Sequence, residues 1–375
     1  MLPLTRSRNR ARFFGTPFSP EALFAGGTVA GAWYDPSDLS TLFTTSAGTT
    51  PVAMPGQGSA VSVGRMLDKS GNGNHAIAFN DTTARPELRA RVNLLVATAT
   101  LSTQSVTTQA TSYTLRFAGA GSITLSGTAT GSYSAGTHTI TCTAGTLTLT
   151  VSGTVTTADL RPANSGALLP AYQAVVDANT YDTSGFPLYL FFDGVDDSMY
   201  TPANLDLSGT DKVAVFAGVR IAAGTGSQNV CEFSNNAFTT NGGFSVAQGP
   251  NVASSGFGFL MNAGSGIAGQ TADKSVPYSS AITETFDSAQ SGLTNEVKLR
   301  MNGVAQTFTS TSGTDSGSGN FGSHILNIGV RGATVAPTAY LNGHIHSLII
   351  AGSAVSAGNI SATEQWVAGK TGIVI

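Results

Sequence analysis

The stretch DKVAVFAGVRI, residues 211–221, decides the reading of this chain. Val213, Val215, Ala217, Val219 and Ile221 recur at every second position. That period places them on one face of a β-strand, where they need cover. The pattern returns in EVKLRMNGV, with Val297, Leu299 and Met301 on one face and Lys298 and Arg300 opposite. It returns again in GFGFLMN, with Phe257, Phe259 and Met261. Gly, Asn, Ser or Asp bounds each run, as strand ends require. Such runs extend from about residue 187 to 351. Rows of one-sided apolar strands bury their faces against each other, so the sequence predicts an all-β fold of two stacked sheets.

Composition agrees. Charged residues make up 10% of the 375, against about 25% in typical soluble chains. Gly is abundant, at 45 residues, which suits short strands and tight turns better than long helices. The net charge of -3 excludes a general nucleic-acid binder. No stretch approaches the ~18 apolar residues of a membrane span. The N-terminal segment lacks the unbroken apolar core of a signal peptide, because Gly and Pro interrupt FFGTPFSPEALFAGG. The expectation is a soluble protein made in a reducing compartment. The two cysteines, Cys142 and Cys231, fall in different blocks and predict no disulfide framework.

Residues 93–167 form a block of their own, in SYTLRFAG, GSITLSG, GTHTITCTAG and GTLTLTVSGTV. These short Thr-rich strands recur about every 8–12 residues, the spacing of a small β-sandwich. Tyr113, Leu115 and Phe117 share one face; so do Ile123 and Leu125, and then Leu147, Leu149 and Val151. The block is read as a module inserted into a discontinuous domain of residues 30–92 and 168–375. Residues 1–29 form an N-terminal arm. One short helix is expected near the C-terminus, with Ser361 and Glu364 as a capping box and Gly369 at its end. SPEALFAG suggests another, with Ser19 as cap and Pro20 at the first position.

Three clusters carry candidate chemistry. LDKSGNGNHA, residues 67–76, places Asp68, Ser70 and Asn72 at the first alternating ligand positions of a calcium loop. Phe79 stands where the bidentate Glu belongs, and a tight turn with positive φ at Asn72-Gly73 is the simpler reading. Calcium is the one cofactor this loop suggests. FFDGVDDSMY offers Asp193, Asp196 and Asp197; in an extended strand the last two point to opposite faces, so a turn at Asp193-Gly194 is the simpler role. His344 and His346 sit two apart on one strand face, a chelating spacing that His324 could complete. The sequence holds no G-x-S-x-G, no H-E-x-x-H and no Glu-rich strand of the kind seen in jelly-roll glycosidases.

The order of these pieces is more specific than any one of them. DKSGNGN, FDGVDD, the alternating strands, RMNGV, LNIGVRG, YLNGHIHSLII and a final helix resemble the LamG-like, concanavalin A-like jelly-roll family. GAWYDPSDLSTLF, SAGTTPV, GRMLDKSGNGNHA, ARPELRARVNLL and the closing EQWVAGKTG resemble virion-associated proteins of tailed bacteriophages. The resemblance implies a non-enzymatic structural and adhesion component: a tail or head fibre, a spike or a decoration protein. It would reside in the virion, as a homo-oligomer, with other virion proteins and host-surface glycans as partners and with neither nucleic acid nor membrane. The alternating Arg6, Arg8, Arg10 and Arg12, followed by Phe13 and Phe14, would be the particle anchor. Asn235, Asn236 and Tyr340, in the loops NNAF and TAYLNG, are the candidate sugar contacts. The alternative is a carbohydrate-binding module of a bacterial surface or secreted protein.

Overall fold

The computed structural model describes residues 18–79, 84–165, 168–224, 226–234, 236–250, 254–332 and 337–375. The alternating runs build two large antiparallel sheets. The first has eight strands, in the order Val304–Ala305, Val297–Met301, Tyr278–Asp287, Lys212–Ile221, Asn342–Ala351, Tyr189–Asp193 and Glu87–Arg89, with Gly31–Tyr34 also paired to Asn342–Ala351. The second has ten and runs from Leu42–Phe43 through Gln228–Phe233, Gly243–Gln248 and Phe257–Asn262 to Ser310–Ser312. Val213, Val215, Ala217, Val219 and Ile221 all face inward, as their period requires, and meet the second sheet's Phe233, Phe244, Phe257 and Phe259 in one apolar core. Phe244 of the second sheet stacks on Phe286 of the first, with ring centroids 5.0 Å apart. Such a pair contributes about 0.5–1.5 kcal/mol beyond the area it buries. The architecture is an all-β sandwich of two antiparallel sheets around one apolar core. Cys142 and Cys231 lie in separate apolar clusters. Among the described residues no helix is long and apolar enough to cross a membrane.

The outer face of the first sheet is covered in two ways. Over Ala214, Phe216, Ala281 and Ile349 lies the C-terminal helix Ala357–Thr371. Its Trp366 meets Trp33 edge-on, at 5.8 Å and 77°. The helix corrects the expected boundaries. Ser356, not Ser361, is the N-cap, accepting from the Asn359 N–H at 3.2 Å, and Gly372, at φ 74°, ends the helix in place of Gly369. Glu364 is unavailable for a capping box because Arg300 Nε and Nη2 hold its two carboxylate oxygens at 2.6 and 3.1 Å. Gly369 faces open space inside the helix, so nothing there stops it. At the other end of the chain, SPEALFAG makes only a single 3-10 turn, Pro20–Leu23, with Ser19 as its cap.

The Thr-rich block covers the rest of that outer face. Its five strands, Gln104–Thr108, Thr111–Gly127, Gly131–Cys142, Gly145–Ser152 and Thr156–Pro162, form a sheet of their own. The long strand Thr111–Gly127 pairs with Thr156–Pro162 along its first half and with Gly145–Ser152 along its second. The register breaks between Phe117 and Ser122. Gly119, at φ 103°, lies where a Cβ would stand 2.3 Å from the Thr154 carbonyl oxygen, so the bend requires glycine there. The bent sheet closes over Tyr113, Leu115, Phe117, Ile123, Leu125, Leu147 and Leu149.

A buried polar junction ties this block to the sandwich. Gln173, with no exposed surface, accepts from the Val92 and Asn93 N–H groups at 2.7 and 3.1 Å. Its amide donates to the Ala90 and Asp182 carbonyls, both at 2.8 Å. Asn93, equally buried, donates to the Ala158 carbonyl at 2.9 Å and accepts from the Leu160 N–H at 3.0 Å. Asp159 takes the Gln173 N–H at 2.8 Å and pairs with Arg161, whose Nη1 reaches the Pro170 carbonyl at 2.8 Å. With its donors and acceptors met, such a network fixes orientation.

Candidate functional site

Between the bent sheet and the part of the first sheet's outer face that the helix leaves free lies an open cleft of about 740 Å³. The strand alternation that buries Val219 and Ile221 turns Arg220 outward. The same rule turns out Arg89 beside Leu88, Tyr189 and Phe191 beside Leu190, and His344 beside Ile345. These residues form the floor. Ser105, Val106, Thr107, Gln109 and Tyr113 of the inserted block form the facing wall.

The floor is aromatic and cationic. His344 stacks flat on Tyr189, at 3.8 Å and 3°. The Arg89 guanidinium lies over the Phe191 ring, 3.9 Å from its centroid, and bonds Glu87 through Nη2 at 2.5 Å. Arg91 is held by its neighbours: Nε donates to the Asn93 carbonyl at 3.0 Å, and Nη2 to those of Leu94 and Leu95 at 3.0 and 3.2 Å. Arg220 donates from Nη1 to Ser279 Oγ at 3.0 Å. Burial, in a place with no carboxylate beside it, lowers the Arg220 pKa to about 10. Burial, and then the Arg220 charge, depress His346 to about 3 and hold His344 well below the usual range. Both imidazoles are therefore neutral at pH 7, and the positive charge of the cleft resides on guanidinium groups. No Asp or Glu is among the described residues that line it.

The His344 and His346 ring centroids lie 6.1 Å apart, and His324 does not join them. His344 is occupied with Tyr189, and His324 sits in the strand Ser323–His324 with its Nε2 at 3.0 Å from the Asn241 carbonyl oxygen.

Asp68, Ser70 and Asn72 do come together, as a hydrogen-bonded corner. Asp68 Oδ1 accepts from the Trp33 and Ser70 N–H groups at 2.9 and 2.8 Å. Its Oδ2 accepts from Ser70 Oγ at 2.7 Å and the Asn74 N–H at 2.9 Å. Asn72 turns its amide donor toward the Val29 and Gly31 carbonyls. Gly71 and Gly73 supply the positive φ, at 89° and 76°. A cation at Asp68 would have to displace four donors. Asp68→Asn should therefore cost about 1–2 kcal/mol, since the new amide sets donor against donor. Thermal melts with and without calcium check this: the variant melts lower, and added calcium leaves the wild-type midpoint where it was.

Asp193 ends the strand Tyr189–Asp193 and Asp196 and Asp197 follow on the turn after it, so their ligand atoms gather within 4.8 Å. Gly194, at φ 80°, makes the reversal, and Asp193 Oδ1 accepts the Val195 N–H at 2.8 Å. Burial, and then the Asp193 charge, push Asp197 up to about 7. Of the proposed sugar contacts, Asn235 lies outside the described residues. Asn236 accepts from Arg331 Nη2 at 2.7 Å, and Tyr340 stands in the field of Asp196; neither lines the cleft. The anchor residues Arg6, Arg8, Arg10, Arg12, Phe13 and Phe14 also lie outside the described residues.

No protein-family model matches this chain, and no curated protein gives a significant match to it. Solved structures resemble parts of it. The NanB sialidase of Streptococcus pneumoniae superposes with a TM-score of 0.30 at 15% identity, over 42% of this chain and 26% of that one. The binding domain of botulinum neurotoxin DC gives 0.33 at 11% identity, over 48% of this chain and 43% of that one. The CBM40 of the Ruminococcus gnavus IT-sialidase gives 0.30 at 16% identity, over 41% of this chain and 83% of that one. The chain thus spans about a quarter of the sialidase and less than half of the toxin domain. At identities and scores this low, the ligand has to be read from this chain's own residues.

Proposed function

We propose that the chain is a non-catalytic glycan-binding module of a bacterial surface or secreted protein, with the cleft as its ligand site. One observation carries this reading: an open cleft of about 740 Å³ whose floor joins aromatic rings to fixed hydrogen-bond donors. Sugars offer an apolar C–H face and a rim of hydroxyls, and such a floor complements both. Phe191 and His344 supply ring surface; Arg220, Ser279, Asn342 and Gln109 supply polar groups. Glycosidic hydrolysis on the usual plan needs two carboxyl groups about 5–9.5 Å apart across the bond. No Asp or Glu is among the described residues that line the cleft, so the reading is one of binding without that two-carboxylate turnover.

Retention of glycans on a printed array tests the proposal. The wild-type chain is expected to hold a subset of them, and His344→Ala, which strips the ring from Tyr189, to weaken that binding at least tenfold. An array that retains nothing, or a variant that binds as the wild type does, contradicts it.

The carrier of the module is a separate matter. The resemblance of residues 31–52, 64–76 and 84–95 to virion-associated proteins motivates a second reading of the carrier, a bacteriophage particle. Mass spectrometry of purified particles decides between the two, and either result leaves the cleft unchanged.

A further inference from the structure

Three guanidinium groups line the cleft, and two of them already have partners. Arg89 is paired with Glu87 and lies on Phe191. Arg91 has spent its fork on three backbone carbonyls. Arg220 differs. It has one hydroxyl partner, Ser279 Oγ at 3.0 Å, and no ion pair among the described residues. It stands on the strand Lys212–Ile221, between the Ser279 strand and the His344 strand. A guanidinium has five N–H donors in a planar fork that matches a carboxylate in two places. A charge withdrawn from water is costly until it is paired. No acidic side chain of the described lining supplies that pair.

We infer that the cleft takes an anionic glycan, a sugar bearing a carboxylate, and that the Arg220 fork is its anchor. This inference rests on the glycan reading above and goes one step further, to the charge of the ligand. Arg89 and Arg91 are committed to Glu87 and to backbone carbonyls, so the cleft offers one open fork for a single carboxylate and not the charged track that follows a phosphate backbone. The chain's net charge of -3 also disfavours a polyanion bound through its general field.

The test is a panel of paired ligands. Oligogalacturonate, a hyaluronan oligomer and sialyl-lactose are each set beside their carboxyl-reduced form, with neutral oligosaccharides, a sulfated oligosaccharide and oligothymidylate alongside. The expected result is that the wild type retains at least one carboxylate member and loses tenfold or more of its affinity when that carboxyl is reduced. Arg220→Met should remove the preference while melting as the wild type does. Arg220→Lys, with the charge but not the fork, should fall between the two. Equal binding of acid and reduced forms, or retention of neutral or sulfated members alone, overturns the inference and leaves the glycan reading standing. Retention of oligothymidylate alone, or of nothing, overturns both. If Arg220→Met melts lower than the wild type, the lysine variant and the paired ligands still decide.

Discussion

Gln173→Ala should destabilise the chain by about 3–5 kcal/mol and loosen the cleft with it. The Gln173 side chain satisfies four backbone groups from two separate stretches: the Ala90 carbonyl, the Val92 and Asn93 N–H groups and the Asp182 carbonyl. Its site is fully buried, so water does not replace the lost amide. Each stranded buried donor or acceptor costs about 1–3 kcal/mol. The effect should not stop at stability. Asn93 holds the Leu160 N–H and the Ala158 carbonyl of the inserted block, so slack at Gln173 moves the wall of the cleft relative to its floor. Urea unfolding measures the first effect and glycan affinity the second. A variant within 1 kcal/mol of the wild type would mean that the junction is not the clamp described.

Glu284→Met should act in the opposite direction and stabilise the chain. Glu284 lies in the strand Tyr278–Asp287, between Val215 and Leu299 on the neighbouring strands. Its side chain points inward with those of Ile282 and Phe286. It is fully buried, and neither carboxyl oxygen has a partner among the described residues. Burial raises its pKa well above the usual carboxylate range, so folding favours the protonated form. A buried polar group without a partner costs about 1–3 kcal/mol even when uncharged. Methionine has a similar volume and no such cost. The pH dependence has a definite sign. The folded-state pKa is raised, so the contribution of Glu284 is least unfavourable below the unfolded value near 4.3 and worsens as pH rises. The variant should thus be about 2 kcal/mol more stable near pH 4.5, with the difference growing toward pH 8. His344 and His346, depressed by burial, push the other way, since stability is lost as pH falls below about 6.5. They are common to both proteins and cancel in the comparison. A constant difference across that range would place Glu284 in contact with water.

The sandwich core was legible because alternation is a local signal. Val213 to Ile221, Phe257 to Met261 and Val297 to Met301 each announce an inward row, and all three rows face the core. The same alternation runs through Ile282, Glu284 and Phe286, where a polar residue stands on the inward parity. The cleft was not legible in this way. Arg89, Tyr189, Arg220 and His344 meet only because the strands pair in the order Glu87–Arg89, Tyr189–Asp193, Asn342–Ala351, Lys212–Ile221. No spacing along the chain encodes that order. The facing wall needs a further fact, the bend at Gly119 that folds the inserted sheet. The helix start was misread for a local reason. Ser361 has Glu364 three residues on, as a capping box does, whereas Ser356 has Asn359 there and gives no such signal.

Hydrogen exchange with and without a retained glycan tests the central claim most directly, because it locates the ligand without assuming which groups hold it. Protection is expected on both sides of the cleft: at residues 87–91, 189–191, 219–221 and 342–346 of the sandwich, and at 105–113 of the inserted block. Protection confined to the loops at 236–240 and 337–341, or to the corner at 68–76, would place the site elsewhere and contradict the account.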